Sequence, residues 1–266
     1  MRTILFVVCA LFLFGCSGAD VESVESTQSP LVTYRTAVNG WTNLPAASQY
    51  YCHTTSMRAT GGHAGAVVFN GGLGQMVPAA GAAFGGDTSA IAAIPYNTAL
   101  GTSTQDVQCD SWSNFHGSGG AIAGRYWLSW SGTGMLSAVS GSIGAYYQDS
   151  VCGLSGAWSM SHASEKTDID VTSNQWLYTL NATGFRELSA QTTCAWLGRP
   201  LYGQEWITAT TASSPFSSYS SASGVCLVMA ITGNLDDGSV SIIGGSQMRL
   251  EITGQVTGAK AMCFPK

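Results

Sequence analysis

Of the eight cysteines in this chain, setting aside Cys9 within the leader and Cys16 at its end leaves six: Cys52, Cys109, Cys152, Cys194, Cys226 and Cys263. The leader is Met1-Arg2-Thr3 and then "ILFVVCALFLF", eleven apolar residues behind one positive charge. That is a charged n-region and an h-region of export-signal length, well short of the roughly 20 residues a spanning helix needs. An even set of cysteines in an exported chain predicts three disulfides in an oxidising compartment. No pair has the CxxC spacing of a zinc or redox site, so neither a metal nor any other cofactor is expected.

Spacing alone does not choose among the connectivities open to six cysteines, but the flanking residues do suggest an order. "VCGLSGAW" from Val151 and "VCLVMAITGNL" from Val225 each open an apolar run on a cysteine. "LSAQTTC" and "TGAKAMC" each close on one, at Cys194 and Cys263. A strand-like segment lies inside each interval, "QWLYTL" at 175 to 180 and "QMRLEIT" at 247 to 253. Two related units, 152–194 and 226–263, follow, with 52–109 as a longer and more diverged first unit. Sequential pairing is the expectation. These units resemble Cys-bounded β modules of bacterial surface proteins and phage tail fibres, a resemblance that implies no particular activity.

Two processing sites compete at the end of the leader. "LFGC", residues 13 to 16, resembles the lipobox of bacterial lipoproteins, which implies cleavage before Cys16 and its acylation as a membrane anchor. Ser17 in the next position implies the outer membrane. "SGA", residues 17 to 19, offers instead an ordinary cut before Asp20 and plain secretion. The following acidic "SGADVESVESTQSP" reads as a solvated tether. The organisation expected is a signal peptide over 1–15, a lipidated cysteine and tether over 16–32, and a β-rich extracytoplasmic domain over 33–266.

Beyond residue 31 no long stretch carries 3.6-residue apolar spacing, and alternation is the commoner signal. "TDIDVT", 167 to 172, sets Ile169 and Val171 against Asp168 and Asp170. Met248, Leu250 and Ile252 alternate with Arg249, Glu251 and Thr253. An all-β fold of disulfide-stapled antiparallel sheets is predicted, sandwich-like or built from tandem Cys-bounded units packed together. Helix is admitted only locally, near Thr88 to Ala93. "TATTASSPFSSYSSASG", 208 to 224, reads as a linker or a long exposed loop, and "NLDDGS", 234 to 239, as a hairpin turn.

Chemistry-bearing motifs are sparse. There is no GxSxG, HExxH, Walker or GxGxxG motif. His53, His63, His116 and His162 stand apart in sequence, and His162 with Glu165 reads as part of a solvated turn. Asp168 and Asp170 could suit calcium, although alternating acids on an exposed face explain them without one. Glu187 and Glu205 are a conceivable glycosidase pair, and Asn181 begins a glycosylation sequon. The formal net charge is −5, and loss of Arg2 with the leader makes it more acidic by one. With no basic block to displace phosphate counterions, nucleic acid is not an expected partner.

Aromatic residues are the most suggestive feature. Trp112 and Trp196 follow cysteines closely and are expected to shield disulfides. "RYWLSW", 125 to 130, places Tyr126 and Trp130 on one strand face and Trp127 on the other, so one set is a candidate ligand-binding surface. The expected function is a cell-surface lipoprotein acting as a non-enzymatic binding or adhesion module, with polysaccharide as a partner. A structural or assembly component of the envelope, bound to other envelope proteins, and an extracytoplasmic hydrolase are the alternatives.

Overall fold

The computed structural model describes residues 32–35, 43–44, 50–59, 63–66, 68–70, 73–78, 91–94, 104–114, 121–130, 139–146, 148, 150–158, 160, 163–181, 188–197, 199–235 and 238–266. These residues form nineteen β-strands and no α-helix. The first sheet runs β1 (Val32–Arg35), β8 (Thr104–Ser111), β3 (Tyr50–Ala59), β17 (Gly238–Ile243) and β18 (Arg249–Thr253). The second runs β4 (His63–Ala66), β11 (Ser150–Trp158), β14 (Leu188–Trp196) and β9 (Ala121–Trp130). The third runs β10 (Val139–Tyr146), β13 (Gln175–Asn181), β12 (Lys166–Thr172), β16 (Gly224–Gly233), β19 (Val256–Pro265) and β15 (Glu205–Thr210). A small fourth sheet holds β2 (Asn43–Leu44), β6 (Leu73–Pro78), β5 (Val68–Asn70) and β7 (Ile91–Ile94), and its β5–β7 and β6–β7 pairings are parallel. Every other pairing among the described strands is antiparallel.

The cysteines pair in sequence order, Cys52 with Cys109, Cys152 with Cys194 and Cys226 with Cys263. In each pair the two residues are direct partners across an antiparallel ladder, on β3–β8, β11–β14 and β16–β19. The same irregularity then recurs three residues beyond each first cysteine. Thr55, Ser155 and Met229 each stand unpaired in the register as a one-residue bulge. In the first of these the Thr55 hydroxyl donates to the Asp106 carbonyl at 3.3 Å.

Beyond the bulge every first-cysteine strand accepts a strand from the neighbouring unit. β4, which follows β3 in the chain, docks on β11 at Gly156 to Trp158. β12, which follows β11, docks on β16 at Ala230 to Thr232. β17, which follows β16, returns to dock on β3 at Ser56 to Ala59. In all three units the accepting residues begin at the fourth position after the cysteine. The exchange is therefore cyclic and closed, the first unit giving to the second, the second to the third and the third to the first. The other edges match too: β1, β9 and β15 each flank the second-cysteine strand of their own unit. The units are tandem in sequence and interlocked in space.

The core lies where β3, β11 and β16 pack on one another. β16, "GVCLVMAITG", is buried on both faces, consistent with its continuous apolar run. The residues just after the first cysteines, His53, Gly153 and Leu227, are all buried. A Cβ on Gly153 would sit 3.1 Å from the Leu227 Cβ, so the missing side chain at one repeat position makes room for the large one at another. β12 and β13 are joined by Ser173 and Asn174, both at positive φ (50° and 66°), as a two-residue hairpin of matching twist requires.

Three local expectations are corrected. Ile91–Ile94 is strand rather than helix, since "IAAI" completes the fourth sheet beside β6. "NLDDGS" closes no hairpin, because β16 and β17 belong to different sheets. Glu165 is fully buried rather than solvated; its carbonyl accepts the Gly233 amide at 2.8 Å where β12 meets β16. Of the two readings of 208–224 the loop holds: past the end of β15 it is an exposed loop of the third unit, tied where the Ser217 and Leu250 amides donate to the Met248 and Pro215 carbonyls.

Two stability outcomes follow. Gly153→Val should lose about 1–3 kcal/mol by overpacking against Leu227, measured by chemical denaturation, and Leu227→Ala in the same chain should recover part of it. Replacing Cys226 and Cys263 together by Ala should lower stability by about 4 kcal/mol on the chain-entropy account of a loop of this length, read the same way.

Candidate functional site

Past each bulge the register creates a transverse row of four residues. In the first unit it is Ser241, Ser56, Asp106 and Arg35. In the second it is Ala66, Gly156, Gln191 and Trp127. In the third it is Asp168, Ala230, Lys260 and Thr208. The third row is described in full atomic detail. Lys260 reaches over the small Ala230 to place Nζ 2.6 Å from Asp168 Oδ1 and 3.5 Å from Asp170 Oδ2. Lys166 holds the other Asp168 oxygen at 2.6 Å. The same Lys260 ammonium stands 5.1 Å from the centroid of the Trp206 ring.

Trp206 projects from the edge strand β15, whose burial alternates so that Trp206, Thr208 and Thr210 face solvent while Ile207 and Ala209 are buried. Trp206 is 37% exposed, with its ring steadied by the lysine. Tyr202 and Phe216 are also exposed, with the Arg199 guanidinium 4.8 Å and the Arg249 guanidinium 5.7 Å from their ring centroids. The loop bearing Phe216 is tied to β15 by Glu205, whose Oε2 accepts the Ser217 hydroxyl at 2.6 Å and the Ser218 amide at 2.7 Å. The Ser217 hydrogen bond, with that of Ser218, holds the Glu205 carboxyl below its ordinary range against partial desolvation. Tyr219 donates to the Gly203 carbonyl, closing the same loop.

The patch is charge-balanced. Lys166 and Lys260 face Asp168 and Asp170, and Arg249 Nη2 lies 3.5 Å from Glu251. Asp168 and Asp170 are thus engaged by lysines rather than arranged as cation ligands. Among the described residues no group of three or more His, Cys, Asp or Glu is placed to hold a metal.

The sequence-predicted residues fall unevenly. All six cysteines are placed as the three disulfides. Tyr126, Trp127 and Trp130 lie on β9, paired by backbone with Thr192, Gln191 and Leu188; their side chains are outside the described residues, as are those of Trp112 and Trp196. Cys16, His116, His162 and Glu187 are outside them altogether, and the His63 side chain is too. Register gives Trp127 the place in the second unit that Thr208 holds in the third. Trp206, which lies in "GQEWITAT", was not singled out from the sequence. The signal was there, since Trp206 alternates with Ile207 and Ala209 as a surface residue should.

His53 is not isolated. Its Nε2 lies 3.5 Å from Asp110 Oδ2, its ring stacks on Tyr51 with centroids 5.5 Å apart, and Lys266 Nζ lies 2.6 Å from Asp110 Oδ1. The His53 and Asp110 side chains are 3% and 1% exposed. A His–Asp pair supplies two members of a hydrolytic triad, yet the third member here is a lysine and the group is buried. Comparisons with known protein families, with curated proteins and with solved structures return no match.

Glu205→Gln should weaken the charge-assisted bonds to Ser217 and Ser218. Faster amide exchange at Ser218, with β16 unchanged, is the expected outcome in hydrogen–deuterium exchange.

Proposed function

We propose that this protein is an exported, non-enzymatic binding module of the cell surface that takes neutral polysaccharide on an aromatic sheet surface, anchored through acylated Cys16. The observation that carries the reading is Trp206, a partly exposed indole on an edge strand, flanked by Thr208 and the Lys260–Asp168–Asp170 group. The face of an indole is electron-rich, and the C–H bonds on one side of a pyranose ring present the complementary edge. Neighbouring hydroxyl, ammonium and carboxylate groups supply donors and acceptors for sugar hydroxyls. Because the cations are matched by acids, the patch favours an uncharged glycan over an anionic one. Trp127, which holds in the second unit the register position of Thr208 beside Trp206, is proposed as a second aromatic element of the same kind.

Affinity electrophoresis through neutral polysaccharides, with a glycan array to find the sugar, tests this. Trp206→Ala should weaken retention about tenfold or more, as loss of a central aromatic anchor does, and Trp127→Ala should weaken it independently. Absence of any retained glycan, together with unchanged tryptophan fluorescence on titration, would remove the proposal. Intact mass should show an acylated Cys16 and a gain of six hydrogens on reduction of the three disulfides; an unmodified chain starting at Asp20 would leave binding but remove the anchor.

A further inference from the structure

The three strand exchanges are equivalent in register but not in chemistry. Around the cysteines of the second and third units the inward positions are apolar: Val151, Gly153 and Ala195 in one, Val225, Leu227 and Phe264 in the other, all buried. The corresponding positions of the first unit are Tyr51, His53 and Asp110, also buried. The partner of Asp110 comes from the third unit, since Lys266 follows β19 and is itself held there by its own amide to the Ser223 carbonyl and its ammonium to the Ser221 carbonyl. Ionic groups therefore tie the third unit to the first at the place where the other two units present apolar side chains.

This seam is also the one that closes the ring. The first-to-second and second-to-third exchanges join units adjacent in sequence. The third-to-first exchange brings together Ser56 and Ser241, whose hydroxyls are 2.8 Å apart at a separation of 185 residues. Longer loops cost somewhat more to close. A buried ion cluster stabilises less, on balance, than the apolar packing that could replace it, yet losing one partner is severe because the other charge is then stranded. The Asp168–Lys260 pair also ties the second unit to the third, but its side chains are partly exposed, so both arguments weigh most on the third-to-first joint.

We infer that the third-to-first junction, β17 paired on β3 and, three residues further back along β3, the Lys266–Asp110–His53 cluster joining the same two units, is a latch at which the ring opens while the other two seams stay closed. Opening parts β17 from β3 and uncovers the β3 edge, with β17 and β18 still packed on the third unit. Asp110 is faced by His53 and Tyr51 from β3 and by Lys266 from beyond β19. Burial acts to raise its carboxyl, but hydrogen bonds and charge from His53 and then Lys266 outweigh that and hold it below its ordinary value of 3.8. A depressed carboxyl contributes stability that is present above that value and lost as pH falls through its folded one, so acid releases the latch.

Amide exchange on the intact protein tests the inference, comparing Met57 and Val240 with Ala157 and with Thr167 and Ile231. At neutral pH the first pair should be the least protected, and acid should widen the gap. Lys266→Met should reproduce the acid effect at neutral pH, with opening at this seam favoured on the order of a hundredfold. Ser56→Cys with Ser241→Cys, direct ladder partners, should bridge the seam and abolish both effects, its fourth disulfide confirmed by mass. Equal protection at all three seams, or an acid response that survives the bridge, would overturn the latch. Loss of glycan binding leaves this result unaffected, because the exchange pattern does not depend on the Trp206 surface.

Discussion

Direct opposition of two cysteines across an antiparallel ladder, repeated three times, is the constraint on which the rest depends. Each bridge fixes the register of a strand pair, and register in turn decides which side chains face inward. On β16, buried on both faces, a shift of one residue would exchange the Cys226–Val228 face with the Val225–Leu227 face and break the packing of each. The bulge three residues later bends the strand and separates two tasks. Residues before it build the common core of β3, β11 and β16, and residues after it receive a strand from the neighbouring unit.

Cyclic exchange explains how units of such modest size hold together. A stretch of about forty residues buries too little apolar surface to fold alone, and none of the three larger sheets is complete without a strand from another unit. Interlocking shares one core among all three, so each unit's stability depends on its neighbours. Large residues can be placed without symmetry, as the Gly153–Leu227 contact shows. Identical side chains at that position would collide, so divergence of the repeats is what permits close packing.

Charge is scarce in this chain, and where it occurs it is concentrated. One ionic group is buried where the third unit meets the first; the other lies on the outer face of the third sheet, where Lys260 is shared between Asp168 and the Trp206 ring. The two differ in what solvent does to them. Water reaches and screens the outer group and leaves it available for an incoming ligand, whereas the inner group is satisfied from within, by its own members and the Ser221 carbonyl. That contrast separates a surface suited to recognition from an interior suited to holding the ring shut.

The strand class, the pairing order of the cysteines and the inward faces of "TDIDVT" and "MRLEIT" were legible in the sequence, because alternation and flanking pattern are local properties. The relatedness of the units around Cys152 and Cys226 was legible for the same reason. What the tertiary structure alone decided was the partner of each donated strand. "HAGA", "KTDIDVT" and "GSVSII" contain nothing that says they complete a neighbour's sheet, and "NLDDGS" has the composition of a hairpin turn while joining two sheets. Nor could the sequence place Lys266 against Asp110, a contact that exists only once the third unit meets the first, or Trp206 beside Lys260, which requires β15 to pair on β19. Local chemistry sets what each segment can become, and the closed packing of three units sets what each one touches.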